Sequence, residues 1–249
     1  MTCFSRKRWK VRPGLRAIFL VLVPVLGFGQ AAGPAVHEHQ LHGWYMYFGD
    51  HPVKGRWELH LENQWRRHDG ILRWQQNLFR PGVNYQVSER VSVTAGYAQI
   101  RTFPHGDYGP PRAFNENRLW QQAIVAQRFG RVRWQHRLRQ EQRWVQSAAE
   151  PESWRYSNRF RYFGKGVIPL RGRWFGAVYD EIFWTFSPGP GRRSFDQNRA
   201  YAALGRRLGR HNSVEAGYLY QWVAQGNGRV FEHNHTLQIG FFSRAPFGR

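Results

Sequence analysis

Between Arg131 and Val145, apolar and polar side chains alternate almost without a break. Val132, Trp134, His136, Leu138, Gln140, Gln142 and Trp144 fall on one face. Arg131, Arg133, Gln135, Arg137, Arg139, Glu141, Arg143 and Val145 fall on the other. A period of two is the pattern of a β-strand, and about fifteen residues is long against the usual five or six. One face is aromatic at both ends and the other is a ladder of arginines.

The same pattern recurs along the chain. Strand-like segments cover approximately 41–49, 54–67, 71–86, 90–103, 113–129, 131–147, 152–167, 173–187, 193–208, 212–225 and 229–243. Turn-forming stretches separate them, among them Gly49-Asp50-His51-Pro52, His68-Asp69-Gly70, Pro104 to Pro111, Pro188 to Gly191 and Gly226-Asn227-Gly228. Segment 57–65 opposes Trp57, Leu59, Leu61 and Trp65 to Glu58, His60, Glu62 and Gln64. Segment 214–222 opposes Val214, Ala216, Tyr218, Tyr220 and Trp222 to Glu215, Gly217, Leu219 and Gln221. No segment sustains a 3.6-residue apolar period, so an all-β fold is expected. Segment 173–187 is less regular, because adjacent Asp180 and Glu181 send one carboxylate outward unless a bulge intervenes.

Long strands with one polar and one apolar face predict an antiparallel transmembrane β-barrel. Connections near 51, 88, 130, 170 and 210 are short, and those near 69, 107, 150, 189 and 227 are longer or richer in Gly and Pro. This matches short periplasmic turns and long extracellular loops. Eleven crossings would leave the two termini on opposite sides, whereas single-chain bacterial barrels use an even number. About twelve strands are therefore expected, with a short extra one near 33–39, and ten is the alternative.

The N-terminus supports this reading. Arg6, Lys7, Arg8, Lys10, Arg12 and Arg16 precede a twelve-residue apolar run, Ala17 to Phe28, and small residues follow at Gly29 and Ala31. Such a run is too short to span a bilayer as a helix, so residues 1–31 read as a cleaved signal peptide and 32–249 as the barrel domain. Beyond residue 31 the chain keeps 31 basic and 16 acidic residues and no cysteine, since Cys3 is the only one. Disulfides and thiolate chemistry are thereby excluded from the mature domain. Twelve Trp, eleven Tyr and eighteen Phe accompany a mean hydropathy of −0.66, a combination suited to a polar lumen with aromatic girdles.

Several motifs also resemble a known family. Leu59-His60-Leu61-Glu62-Asn63-Gln64, Val93-Thr94-Ala95-Gly96-Tyr97-Ala98, and Phe114-Asn115-Glu116-Asn117-Arg118 with its echo Phe195-Asp196-Gln197-Asn198-Arg199 are similar to the DUF2490 family of bacterial proteins of unknown function. So are Gln135 to Trp144, Asn158 to Tyr162 and Tyr179 to Phe183. The resemblance runs from about residue 41 to 243. It implies an outer-membrane barrel-like fold and brings no activity.

The polar faces nominate a charged lumen: Glu58, Glu62, Arg73, Glu116, Arg118, Arg133, Arg137, Arg139, Glu141, Arg143, Arg159, Arg199 and Glu232, with Arg131, Arg155, Arg161 and Glu215 on the same faces. A charge facing lipid at the midplane costs about 2–4 kcal/mol, and arginine forks can bridge carboxylates into a brace. Glu58, Glu62, Glu116 and Glu232 are the expected partners of the Arg131–Val145 strand. Because arginines outnumber carboxylates, an anion-favouring constriction is the functional alternative to a purely structural role. Membrane girdles are expected at Trp57, Trp65, Trp134, Trp144, Tyr218 and Trp222. Trp134 and Trp144 lie about 33 Å apart along the strand, a rise of about 23 Å at ~45° tilt, close to the ~25 Å apolar band.

Catalysis is not expected. No Gly-x-Ser-x-Gly elbow occurs, and His60 between Glu58 and Glu62 reads as a polar wall more readily than as a base. A barrel enzyme acting on lipid or lipopolysaccharide, and a soluble periplasmic β-protein, are the alternatives. His37, His39 and His42 with Glu38 suggest a metal site less strongly than a hydrated chain start, and His233-Asn234-His235 lacks the context of a nuclease motif. No cofactor or metal is expected. Outer-membrane lipid and lipopolysaccharide are the expected partners, the latter facing Arg66, Arg67, Arg192 and Arg193 at the rims. Nucleic acid is not an expected partner.

Overall fold

The computed structural model describes residues 34–186 and 195–247, all within the compact unit Ala31–Arg249. The expected signal peptide and the rim pair Arg192 and Arg193 lie outside the described residues. The described residues form eleven strands and no helix: β1 (Val36–Lys54), β2 (Trp57–His68), β3 (Arg73–Gln86), β4 (Val91–Thr102), β5 (Phe114–Phe129), β6 (Val132–Gln146), β7 (Trp154–Pro169), β8 (Trp174–Phe186), β9 (Phe195–Arg207), β10 (Asn212–Ala224) and β11 (Val230–Ser243). Each strand pairs antiparallel with its sequence neighbours, and β1 closes the barrel against β11.

The closing pair corrects the strand count. β1 and β11 run parallel, from Val36 opposite Val230 to Gly49 opposite Ser243. An odd number of alternating strands leaves the first and last pointing the same way, and a parallel ladder then joins them. No twelfth strand is required. Residues 36–39, expected as a separate short strand, are the start of β1, and Gly49-Asp50-His51-Pro52, expected as a turn, continues it. Pro52 is tolerated because β11 ends its pairing at Gly49, so no β11 acceptor awaits the missing N–H. The turn falls instead at Gly55-Arg56, where Gly55 has φ +58°, and Gly130 (φ +57°) serves likewise between β5 and β6.

Loop lengths sort by end. At the mouth where β1 begins, the connections are 69–72, 103–113, 147–153 and 225–229. At the opposite mouth they are 55–56, 87–90, 130–131, 170–173 and 208–211. Along each strand, alternate residues face in and out as the pleat requires. Outward residues include the exposed Leu119, Leu138, Val178 and Leu237 near the middle of their strands, with Trp57 and Trp174 toward one end and Trp65, Trp144 and Trp154 toward the other.

Candidate functional site

The inward faces carry a continuous ion-pair network. Glu141 on β6 is fully buried and lies among four guanidinium groups: Arg161 at 2.7 Å, Arg118 at 3.0 Å, Arg80 at 3.5 Å and Arg139 at 3.9 Å. Arg161 continues to Glu181 at 2.6 Å, which also receives Arg137 at 2.6 Å and Arg199 at 3.5 Å. Arg118 continues to Glu116 at 2.7 Å, and Glu116 also binds Arg143. Arg80 ties in Glu62 at 2.8 Å, and Arg159 pairs with Asp196 at 2.9 Å. Fork-shaped guanidinium groups suit such shared carboxylates, because each offers several N–H donors in one plane.

Arginines exceed acids within this layer. Arg66, Arg80, Arg118, Arg137, Arg139, Arg143, Arg159, Arg161 and Arg199 face Glu62, Glu116, Glu141, Glu181 and Asp196. The surplus is met by amides and rings. Gln122 Oε1 accepts from Arg139 at 2.7 and 3.0 Å, and Gln64 and Gln76 accept from Arg66. Arg66 also lies 4.0 Å over the Trp44 ring, Arg139 lies 4.8 Å over Trp120, and Arg161 lies 4.6 Å over Phe183. Ring faces carry negative quadrupole charge, which makes them acceptable neighbours for a desolvated cation.

The wall formed by β1 and β9–β11 differs in chemistry. Trp44, Met46, Tyr201 and Leu219 form a buried apolar cluster, with Phe48 and Tyr179 against it. Amides and hydroxyls fill the rest: Gln197, Gln221, Asn234, Thr236 and Gln238 are buried. Among the described residues, three ionic or hydrogen-bonded contacts cross the interior between strands three positions apart. They are Arg80 to Glu141, Lys165 Nζ to Glu215 at 2.7 Å, and Tyr179 Oη donating to Gln238 at 3.0 Å. Trp120 fills the remaining hollow. Gly82 and Gly96 are register partners, Gly96 lies opposite Trp120, and a Cβ at Gly82 would stand 2.8 Å from the indole.

Most residues nominated for the lumen point inward, with exceptions. Glu62, Glu116, Arg118, Arg139, Glu141 and Arg199 are buried there, and Arg137, Arg143 and Arg159 are partly buried. Arg73 is not in the lumen: it opens β3 at the rim, its side chain is 74% exposed, and it stands 3.8 Å from Asp69. Arg133 and Arg155 are exposed at the mouths, where strand ends outrun the packed interior. Glu232 faces inward near a mouth and accepts from Gln225 and Asn234, and among the described residues no arginine pairs with it. Glu58 reaches Arg244 at 2.9 Å, so of the four acids expected to partner β6 only Glu116 does so by direct contact. Arg66, expected at a rim, turns into the barrel because it continues the inward alternation of Glu62 and Gln64, and it lies under Trp44.

Other residues of the network were not nominated: Arg80, Glu181 and Asp196, with Lys165 beyond it. Arg80 precedes Pro81, and Glu181 follows an outward carboxylate, so neither lies in a tidy alternation. Asp180 does face outward, and Asn198 donates to it at 3.1 Å. The bulge lies farther along, where Phe183 and Trp184 pair with β9 and Asp196 is the extra residue. His60 meets Asp50 at 2.7 Å through Nδ1, while Nε2 lies 3.7 Å from Glu62 and has no hydrogen-bond partner.

At the mouth where β1 begins, loop 103–113 folds across the opening. Asp107 N donates to Glu38 of β1 at 2.8 Å, and Gln225 donates to the Tyr108 carbonyl at 3.0 Å. His42 turns inward to Gln40, so His37, His39, His42 and Glu38 do not converge. The six expected girdle residues lie on outward faces. Trp57, Trp65, Trp144 and Tyr218 are exposed, Trp134 covers Gly166, and Trp222 stacks on Phe195 and Phe231. Two apolar hollows, of about 460 and 640 Å³, open between outward side chains, one beside Tyr45, Leu61 and Ile239, the other beside Val83, Val93 and Leu138.

Residues 41–232 match the model of DUF2490, a family of proteins of unknown function. An uncharacterized protein of Methylorubrum extorquens is 30% identical over 189 residues, covering 74% of this chain and 78% of its own. No solved structure matches. The chain belongs to the DUF2490 family.

Proposed function

We propose that this DUF2490 protein is a bacterial outer-membrane β-barrel whose interior is braced shut, giving it a structural role in the membrane. The observation that carries the reading is the set of cross-barrel contacts, Arg80–Glu141, Lys165–Glu215 and Tyr179–Gln238. Around them Trp44, Trp120, Arg139 and Glu141 are 0–1% exposed. Barrels of about eight strands fill with their own side chains, and water-filled channels accompany about sixteen or more; eleven strands stand nearer the first.

The outward face supports membrane residence. Aliphatic residues occupy its middle and Trp its two ends, the order of a lipid-facing band with girdles. Half-buried Arg67 at the rim suits contact with anionic lipopolysaccharide. Expression of the full chain in a Gram-negative host tests the location. The expected result is outer-membrane fractionation with heat-modifiable gel migration, and a soluble periplasmic protein without that shift would refute it. Unchanged lipid A and phospholipid in cells expressing the unsubstituted chain, against His60→Ala and Glu62→Ala, are expected if the barrel is not a lipid-modifying enzyme.

A second reading rests on the arginine surplus. Arg80 Nε, Arg137 Nε and Arg139 Nη1 are buried without a hydrogen-bond partner. Such donors favour a small anion inside the barrel, and passage of anions is the corresponding alternative.

A further inference from the structure

We propose that the outward face of the β1–β11 seam binds late first-row divalent transition metals through two imidazole pairs, His37 with His233 and His39 with His235. The parallel register places His39 opposite His233, with Phe231 opposite His37 and His235 opposite Leu41. His37 and His39, like His233 and His235, are two residues apart, so all four rings project to one side of the sheet. His37 Nδ1 lies 2.9 Å from His233 Nε2, and His39 Nδ1 lies 3.5 Å from His235 Nε2.

These separations are those of ligand pairs. Metal–imidazole bonds are about 2.0–2.1 Å, so two nitrogens on one ion stand about 2.9 Å apart at a right angle and about 3.4 Å apart at the tetrahedral angle. An ion can therefore be approached by each pair through ring rotation, without a backbone shift. The remaining nitrogens of the β11 histidines are held. Tyr220 Oη lies 2.6 Å from His233 Nδ1, and Tyr218 Oη lies 2.6 Å from His235 Nδ1. Fixing the far nitrogen is how outer groups orient metal-binding histidines, and it leaves each Nε2 aimed across the seam. His37 and His39 are exposed, so the pairs are reachable from outside.

The donor set defines the metal. Imidazole alone suits copper, nickel and zinc, and is a poor ligand for calcium or magnesium, with copper(II) bound most tightly. Among the described residues no three His, Cys, Asp or Glu side chains form a closed metal centre. Each pair is thus an open two-imidazole site completed by water. Its position has a consequence for the fold: an ion held by both strands would add a clasp to the ladder and the ring stacking that already join β1 to β11 where the barrel closes.

The test uses the full chain without a polyhistidine tag, refolded in detergent micelles and titrated with copper(II) sulfate and zinc chloride. Expected are copper(II) binding tighter than zinc, an electron paramagnetic resonance spectrum with nitrogen couplings, and a raised temperature for loss of heat-modifiable migration. His37→Asn with His39→Asn abolishes the effect, and Tyr218→Phe with Tyr220→Phe weakens copper binding about tenfold. Should the first variant fail to fold, His233→Gln with His235→Gln reads the same loss from the other strand. Copper binding and spectrum unchanged in these folded histidine variants would overturn the proposal. So would the absence of copper binding to the unsubstituted chain, which would leave the four rings as a hydrogen-bonded ladder with the tyrosines.

Discussion

The barrel's two inner walls use the same backbone and close the same space by different means. From β2 to β7 the wall is largely ionic, with Leu78, Ala98, Ile100 and Trp120 set into it as an apolar patch: Glu62, Arg80, Arg118, Glu141 and Arg161 share hydrogen bonds across several strands. Through β1 and β9–β11 it is aromatic and amide-rich, with Trp44, Tyr201 and Leu219 packed beside Gln221, Asn234 and Gln238. Arg66 over Trp44 and Arg199 bonded to Glu181 stitch the two together. The contrast teaches that interior polarity is not the same thing as interior hydration. A ring of charges can be as dry as a hydrophobic core when each acid is enclosed by several guanidinium groups, although its stability then depends on every partner being present.

That dependence separates the walls experimentally. The largest effect is expected from Glu141→Ala, which removes the carboxylate that Arg80, Arg118, Arg139 and Arg161 share and lowers stability by about 3–5 kcal/mol. Urea titration of the lipid-reconstituted barrel, followed by tryptophan fluorescence, reads the shift, and a loss below about 1 kcal/mol would mean that the ionic wall braces nothing. In the aromatic wall, Leu219→Ala is expected to cost about 3 kcal/mol by leaving a cavity, by the same titration. The walls meet at Lys165 and Glu215, where a double-mutant cycle with Lys165→Met and Glu215→Gln should give a coupling of about 1–2 kcal/mol. Additive single effects would show that this bridge is incidental. Tyr179→Phe removes one hydrogen bond to Gln238 and should cost about 1 kcal/mol. Arg73→Ala, at the exposed rim, should change the midpoint by no more than about 0.5 kcal/mol.

The comparison also explains what could be read from the sequence. The ionic wall was legible because Arg131 to Val145 sets charges against Leu138 and Trp144, so the period of two is visible in polarity. In the aromatic wall the alternation of β10 was legible too, but that of β1 was not. In β1, inward Trp44, Met46 and Phe48 alternate with outward Tyr45 and Tyr47, and two apolar faces give no contrast to read. The boundaries of that strand and the closing pair were lost with it. Glu181 was hidden by its neighbour Asp180, and Arg80 by Pro81. Pairing across the barrel, such as Arg80 to Glu141, depends on which strands face one another, and alternation along a single strand carries no record of that. Strand positions from β2 onward were close to those observed, since turn residues mark them independently of the faces.

The central claim is that the two walls together close the barrel. Planar-bilayer recording of the refolded, unsubstituted chain tests it most directly. The account predicts no stepwise conductance in concentrated potassium chloride at either polarity. Sustained, anion-selective steps from that same chain would contradict it and favour an open, arginine-lined passage.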